Sequence, residues 1–262
     1  MRSSRFVLFL VLLIFAKPAT AQQANPSAPQ ATVLLQRALA ALTGGHPLTD
    51  VTLSGTAERI AGSDDESGTV VIKALAGAGT RVDLTLPSGP RTELRNTDSV
   101  SSVGSWSGPD GIAHSIPSHN LMTDGGLFPA FTLASFVASQ NAVLLYVGPE
   151  TKNGKAVFHI SASLQFTEFP ADLTPLMQHL TQTDIFLDAN TYLPVAIAFN
   201  IHADDNARLD IPVEIDFSNY QTVSSVQVPF HVQKLINNTL ALDFQFQNVI
   251  VNSGLTVSSF SS

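Results

Sequence analysis

Residues 208–255 read RLDIPVEIDFSNYQTVSSVQVPFHVQKLINNTLALDFQFQNVIVNSGL. Apolar and polar side chains alternate along three runs of this stretch: 211–218, 226–233 and 240–247. Successive side chains of a strand point to opposite sides, so a period of two predicts strands with one apolar face each, rather than helices. Asn237-Asn238 separates the second run from the third, and Asn tolerates the positive φ of a tight turn. The stretch therefore predicts an antiparallel meander whose apolar face is covered by another part of the chain.

The chain upstream of this meander has a similar pattern. Short apolar or alternating runs, separated by turns such as Asn153-Gly154, predict about ten strands in all, mostly in sequential hairpins. Apolar residues at helical spacing predict short helices near residues 32–42, 129–139 and 172–180. The order of these elements predicts a mainly β (α+β) fold in which a strongly curved antiparallel sheet forms an unclosed β-barrel, covered by short helices.

The N-terminus has the pattern of an export signal. Arg2 and Arg5 precede an apolar run from Phe6 to Ala16, and Ala19-Thr20-Ala21 fits a cleavage site. The apolar run is shorter than the roughly 20 residues that a membrane-spanning helix needs. We predict a signal peptide at residues 1–21 that is cleaved after Ala21, a flexible linker at 22–30 and a single domain at 31–262. The mature protein is expected in the periplasm or secreted, with no integral membrane span.

Composition excludes several classes of function. The chain has no cysteine, which excludes disulfides, thiolate zinc sites and cysteine nucleophiles. Its formal net charge is −8, and three of its 13 basic residues lie in the predicted signal. An acidic surface repels phosphate backbones, so we expect no nucleic-acid partner.

Two clusters of potential metal ligands are present in the sequence. Asp64-Asp65-Glu66 lacks the alternate-position ligands of a calcium loop, which favours a solvated turn. His114 and His119, near Asp110 and Asp124, have a spacing that fits neither one helical face nor one strand face. We therefore expect no metal site and no cofactor.

Catalytic motifs are also missing. The sequence has no H-E-x-x-H, no phosphate loop and no G-x-G-x-x-G after a strand. The segment 104–108 has Trp106 where a nucleophile elbow needs serine. The chain is therefore predicted not to be an enzyme.

The C-terminal part of the chain resembles a known family. Asp216-Phe217-Ser218-Asn219-Tyr220 leads to Val228-Pro229-Phe230-His231-Val232, and the last predicted strand ends in Asn252-Ser253-Gly254-Leu255. With Thr191-Tyr192-Leu193-Pro194 in the preceding hairpin, this ending is similar to that of the LolA-like group of periplasmic lipoprotein carriers. The resemblance covers about the last 75 residues, 188–262. The chain is longer than a minimal carrier of this group, and the additional residues lie around 140–183.

The resemblance implies a non-catalytic carrier or binding protein for a lipid or a lipidated protein, held on the concave apolar face of a half-barrel. Predicted ligand-contacting residues are Val213, Phe217, Phe230, Phe244, Phe246, Phe128 and Phe131. Packing in the core is the other interpretation of the same residues. Lys73 and Arg81, on early strands, lie where a carrier could position a cation. The alternative function is an envelope interaction or sensor module with a filled core, an envelope protein partner and no small-molecule ligand.

Overall fold

The structure, a computed structural model, describes residues 27–97, 102–123 and 125–260. Its helices are α1 (Ser27–Thr43), α2 (Pro129–Ala138) and α3 (Thr174–Thr181), with short 3-10 helices at Ser118–Leu121 and Val257–Phe260. Its strands are β1 (Asp50–Ala61), β2 (Asp64–Leu75), β3 (Gly79–Leu86), β4 (Gly89–Thr97), β5 (Ser102–Ser107), β6 (Ala113–Ser115), β7 (Ala142–Lys152), β8 (Lys155–Leu164), β9 (Thr183–Asp188), β10 (Pro194–Ala203), β11 (Asn206–Val223), β12 (Val226–Ile236) and β13 (Thr239–Val251). The predicted signal peptide and residues 22–26 of the predicted linker lie outside these ranges and remain predictions.

All strands of the described residues belong to one antiparallel sheet, in the order β6-β5-β4-β3-β2-β1-β13-β12-β11-β10-β9-β8-β7. The sheet is not closed, because β6 and β7 remain at its two edges. The predicted fold class is therefore confirmed. The described residues form 13 strands where the sequence predicted about ten.

The C-terminal meander has the predicted geometry. Val213, Ile215 and Phe217 on β11 are buried, and Asn237 and Asn238 turn the β12–β13 hairpin with φ values of 51° and 60°. The buried side chains of the sheet face α1 and α2, and α1 contributes Leu34, Leu35, Ala38 and Leu42 to the same core. Two helices thus cover the concave face of the curved sheet.

Three elements begin at other residues than the sequence predicted. Helix α1 begins at Ser27 instead of near residue 32, and the Thr32 hydroxyl donates to the Ala28 carbonyl (3.0 Å) within the helix. Helix α3 begins at Thr174 instead of residue 172. The predicted acidic turn belongs to β2, where Glu66 accepts hydrogen bonds from the Ser88 backbone N–H and hydroxyl, both at 2.9 Å. Pairing with neighbouring strands therefore extends β2 into the acidic segment.

The junction between β1 and β13 is held by a buried carboxylate. Asp50 is 1% exposed, and it accepts hydrogen bonds from the Ser253 N–H (2.8 Å), the Ser253 hydroxyl (2.6 Å) and the Gly254 N–H (3.0 Å). Burial opposes ionisation of Asp50, but these bonds and one from Thr49 outweigh burial and lower its pKa. The Asn-x-Gly-Leu ending therefore has a structural role, since it binds the start of β1.

Replacing Asp50 with Asn is expected to lower the free energy of unfolding at pH 7 by about 1–2 kcal/mol, because the charge-assisted bonds are lost. The pKa of Asp50 is lower in the folded chain, so its contribution is full above the unfolded value of about 3.9 and disappears as pH falls through the folded value. Urea unfolding at pH 7 and pH 3 measures this, with the exposed Asp205→Asn as control. An equal loss at both pH values would contradict the assignment.

Gly55 is expected to be irreplaceable for a steric reason. It lies at the β1–β13 bulge, where an added Cβ would be 2.0 Å from the Gln245 carbonyl oxygen. Gly55→Ala should therefore destabilise the fold by about 1–3 kcal/mol, as overpacking does. Gly108→Ala is the matched control, because its Cβ would meet nothing closer than 3.7 Å. Similar urea midpoints for the two variants would contradict the prediction, because they would show that the β1–β13 backbone can move to accept the added Cβ.

Candidate functional site

The structure places the predicted ligand-contacting residues in or against the core. Five are buried side chains, between 0% and 5% exposed: Val213, Phe217, Phe244, Phe246 and Phe128. Phe230 and Phe131 are partly buried and pack against the same cluster. These seven side chains belong to the apolar core or pack against it, and other residues line the basic and seam cavities described below. Their contact with a ligand stays a prediction.

One cavity, of about 360 Å³, lies at the end of the concave face formed by β1, β3, β4, β5, β12 and β13. We call it the basic cavity. Its apolar walls are Ile60, Ala61, Val82, Leu84, Ile236, Ala241 and Leu242, with Trp106 at its side. Its charged lining residues are Arg59, Arg91, Glu93 and Lys234. Cavities of this size hold small apolar ligands, and a few polar groups fix their orientation.

The charges face inward because of strand register. On β4, Arg91 pairs with the buried Leu84 of β3, and Glu93 pairs with the buried Val82. Directly paired residues share a sheet face, so these charged residues share the concave face with the apolar core. On β12, Lys234 is two residues from the buried Val232 and lies on that face too.

Glu93 is fixed by cations. Arg95 Nε donates to Glu93 Oε1 at 2.7 Å, and Arg95 itself is only 8% exposed. Burial alone would raise the pKa of Glu93, but Lys234 and Arg95 lower it to about 2. Glu93 therefore stays anionic over the ordinary pH range and balances only part of the positive charge around it.

Arg91 has unused donor capacity. Its Nε is buried and has no hydrogen-bond partner, while its Nη2 donates to the Ser88 hydroxyl at 3.0 Å. Glu66 lies 3.7 Å from both Arg59 and Arg91. An anionic group entering the cavity would find Arg59, Arg91 and Lys234 around it, and charge-assisted hydrogen bonds of guanidinium to an anion are strong.

Sequence reasoning did not find this cavity. The two cations that the sequence suggested, Lys73 and Arg81, pair with each other across β2 and β3. Their neighbours along the strands, Ile72, Ala74 and Val82, have side chains buried in the core. Lys73 and Arg81 therefore face the convex side, where Arg81 binds Asp83 at 2.7 Å. The available signal was the period-two charge pattern of Arg91, Glu93 and Arg95, which places three charges on one strand face.

A second cavity, of about 550 Å³, lies where β5 and β8 approach α2, α3 and the 3-10 helix at 118–121. We call it the seam cavity. Its apolar lining residues are Leu121, Met122, Phe136, Leu164, Phe166, Phe169 and Met177. Glu168 is the one charged residue among its described lining residues, and the remaining polar ones are serines and threonines. This lining suits an uncharged apolar group better than an anion.

The histidines considered as metal ligands have separate partners. His114 stacks on Trp106 with ring centroids 4.4 Å apart, whereas His119 Nε2 lies 3.1 Å from the Ala203 carbonyl oxygen. Asp124 lies outside the described residues.

A Ser-His-Asp chain is present on β11, β12 and β13. Ser218 Oγ lies 2.9 Å from His231 Nδ1, and His231 Nε2 lies 3.0 Å from Asp243 Oδ2. A serine hydrolase uses the opposite ring nitrogens for these contacts. None of the three residues lines the basic cavity or the seam cavity. The prediction of a non-catalytic protein remains a prediction.

No helix within the described part of the chain is long and apolar enough to span a bilayer.

Comparison with known proteins adds information about the fold. No family profile matches the sequence, and no curated protein sequence matches it significantly. Three solved structures superpose on nearly the whole chain. The first is a domain described as an outer membrane lipoprotein-sorting protein from Vibrio parahaemolyticus, with a TM-score of 0.56, 12% identity, and coverage of 89% of this chain and 97% of that one.

The second solved structure is a DUF1329 family protein from Desulfovibrio piger, with a TM-score of 0.57, 10% identity, and coverage of 90% and 97% of the two chains. The third is a LolA superfamily protein from Nitrosomonas europaea, with a TM-score of 0.55, 8% identity, and coverage of 88% and 97%. Identities this low establish a shared fold and nothing finer. The chain therefore has the LolA-like fold, an unclosed antiparallel barrel covered by helices.

Proposed function

We propose that the mature protein is an exported, non-catalytic carrier or binding protein for an anionic lipid-like molecule, which it holds in the basic cavity. One observation carries the proposal. In a chain with a net charge of −8, the charged lining of one apolar cavity consists of three cations, Arg59, Arg91 and Lys234, and one anion, Glu93. Arg91 Nε is buried and has no hydrogen-bond partner.

The two parts of such a ligand match the two parts of the cavity. An acyl chain against Val82, Leu84 and Leu242 gains about 0.8 kcal/mol for each buried CH₂. A carboxylate or phosphate near Arg91 and Lys234 adds a charge contact that a neutral head group cannot make. The apolar walls would supply affinity and the cations would select the head group.

The fold supports a carrier role. Two of the superposed structures are described as a lipoprotein-sorting domain and as a LolA superfamily protein. An unclosed barrel leaves a concave face open at its ends, and the basic cavity lies at one of them. A lipidated protein is the other ligand compatible with this proposal, with its acyl chain in the cavity and its polypeptide outside.

The alternative, an interaction or sensor module, requires a concave face without room for a ligand. Side chains of α1 and α2 fill the centre of the concave face, so the centre has no room for a ligand, as the alternative requires. The basic cavity and the seam cavity, of about 360 and 550 Å³, lie outside this filled centre and favour ligand binding. We therefore prefer the binding protein.

Lys234→Gln is expected to weaken binding of an anionic amphiphile, such as a long-chain fatty acid, about fivefold to tenfold, because one charge contact in a partly exposed site is lost. Binding of the corresponding fatty alcohol should change by less than about twofold, since the apolar walls are unaltered. Displacement of a fluorescent fatty-acid probe from the mature protein measures both affinities.

Lys73→Gln is the matched control, because it removes the same charge from the convex face. Gel-filtered protein from the periplasm should also release an anionic lipid on denaturation in a mass spectrometer. Protein that carries no lipid and does not bind the probe would exclude the carrier. Equal effects of Lys234→Gln and Lys73→Gln would exclude the basic cavity as the site.

A further inference from the structure

A cluster of nitrogen and oxygen ligands lies outside both cavities. His179 on α3, His202 on β10 and Asp210 on β11 place one ligand atom each within 4.8 Å of one another. Asp210 Oδ1 is 2.8 Å from His179 Nε2 and 3.3 Å from His202 Nε2. Tetrahedral zinc with bonds near 2.0–2.1 Å holds neighbouring ligand atoms about 3.3 Å apart, which the His202–Asp210 separation matches. His179 and Asp210 are hydrogen-bonded at 2.8 Å and would move apart by about 0.5 Å to bind zinc.

His202 provides an independent indication of a ligand. Its side chain is 0% exposed, and neither Nδ1 nor Nε2 forms a hydrogen bond. The 3.3 Å approach of Nε2 to Asp210 is within ion-pair range but lacks hydrogen-bond geometry. A buried polar atom without a partner costs about 1–3 kcal/mol, and most such atoms in native proteins are satisfied by something. A cation bound by Nε2 would satisfy one of the two unpartnered ring nitrogens.

Neighbouring residues hold two members of the cluster in place. His202 and Asp210 are direct cross-strand partners, and Asn200 Nδ2 donates to the other Asp210 oxygen at 3.2 Å. A hydrogen bond of this kind orients a carboxylate that binds a metal. The Asn120 side chain bonds both the N–H and the carbonyl of His202, at 2.7 and 2.8 Å, which fixes the His202 backbone.

We propose that His179, His202 and Asp210 form a zinc-binding site that attaches α3 to the β10–β11 hairpin. Two imidazoles and one carboxylate form a donor set suited to zinc, and the remaining position is open to water, because His179 and Asp210 are 37% and 42% exposed. Helix α3 also carries Met177 and Thr181, which line the seam cavity, so the metal would fix one wall of that cavity.

The test uses the full mature chain, stripped with a chelator and titrated with zinc chloride by calorimetry. We expect one equivalent of zinc to bind, and cobalt to give the visible absorption of tetrahedral coordination. His179→Ala and Asp210→Ala should each weaken zinc binding by at least about tenfold. Both residues are on the surface, and circular dichroism checks that the variants fold.

His114→Ala is the control, because it removes an exposed histidine that is not part of the cluster. This variant should leave the zinc affinity unchanged. Zinc should also slow hydrogen exchange of the α3 backbone amides in the wild type, but not in His179→Ala. Absence of saturable binding, or equal affinities in all variants, would overturn the site. No residue of the cluster lines the basic cavity, so loss of the zinc site and loss of lipid binding can be measured separately.

Discussion

The pairing of β1 with β13 is the constraint on which the rest of the structure depends. Every other neighbouring pair of strands is consecutive in the chain, whereas this pair joins residues about 200 positions apart. Without it the sheet would be two separate meanders, β1–β6 and β7–β13. Closing so long a loop costs entropy, which local contacts must offset. Asp50 and its bonds to Ser253 and Gly254 make such contacts at one end of the pair, and the bulge at Gly55 lets the backbones approach closely.

The concave face of the joined sheet has two chemically different regions. Under α1 and α2 it is apolar, with Phe244 and Phe246 fully or almost fully buried. Towards β4 and the end of β12, the same face carries Arg91, Glu93 and Lys234. Inward charges on a strand are costly unless they are paired or remain near solvent. Arg95 pairs with Glu93 at 2.7 Å and Glu66 lies 3.7 Å from Arg91, so these charges are partly compensated within the chain.

The sequence predicts strands well where alternation and turn chemistry agree. The meander from 211 to 247 has apolar residues on one face and Asn237-Asn238 at a turn, so its strands and its buried face could be predicted. On β4 the one apolar residue, Leu94, alternates with charges, so the pattern predicts the wrong face as the inner one. Whether Phe217 or Phe244 contacts a ligand depends on how α1 and α2 cover the sheet, which no local pattern encodes. His179, His202 and Asp210 come from three elements and meet only through tertiary packing.

The basic cavity and the histidine cluster are connected by hydrogen bonds. Glu93 binds Arg95 at 2.7 Å, Arg95 Nη1 donates to the Asn120 carbonyl at 2.8 Å, and the Asn120 side chain binds the His202 backbone. A smaller cavity of about 160 Å³ adjoins this path and shares Glu93, Trp106 and Lys234 with the basic cavity. Spatial connection alone does not establish energetic coupling. If ordering of Asn120 by one ligand favours the other, the effect must be equal in both directions, because the coupling free energy between two binding sites is reciprocal.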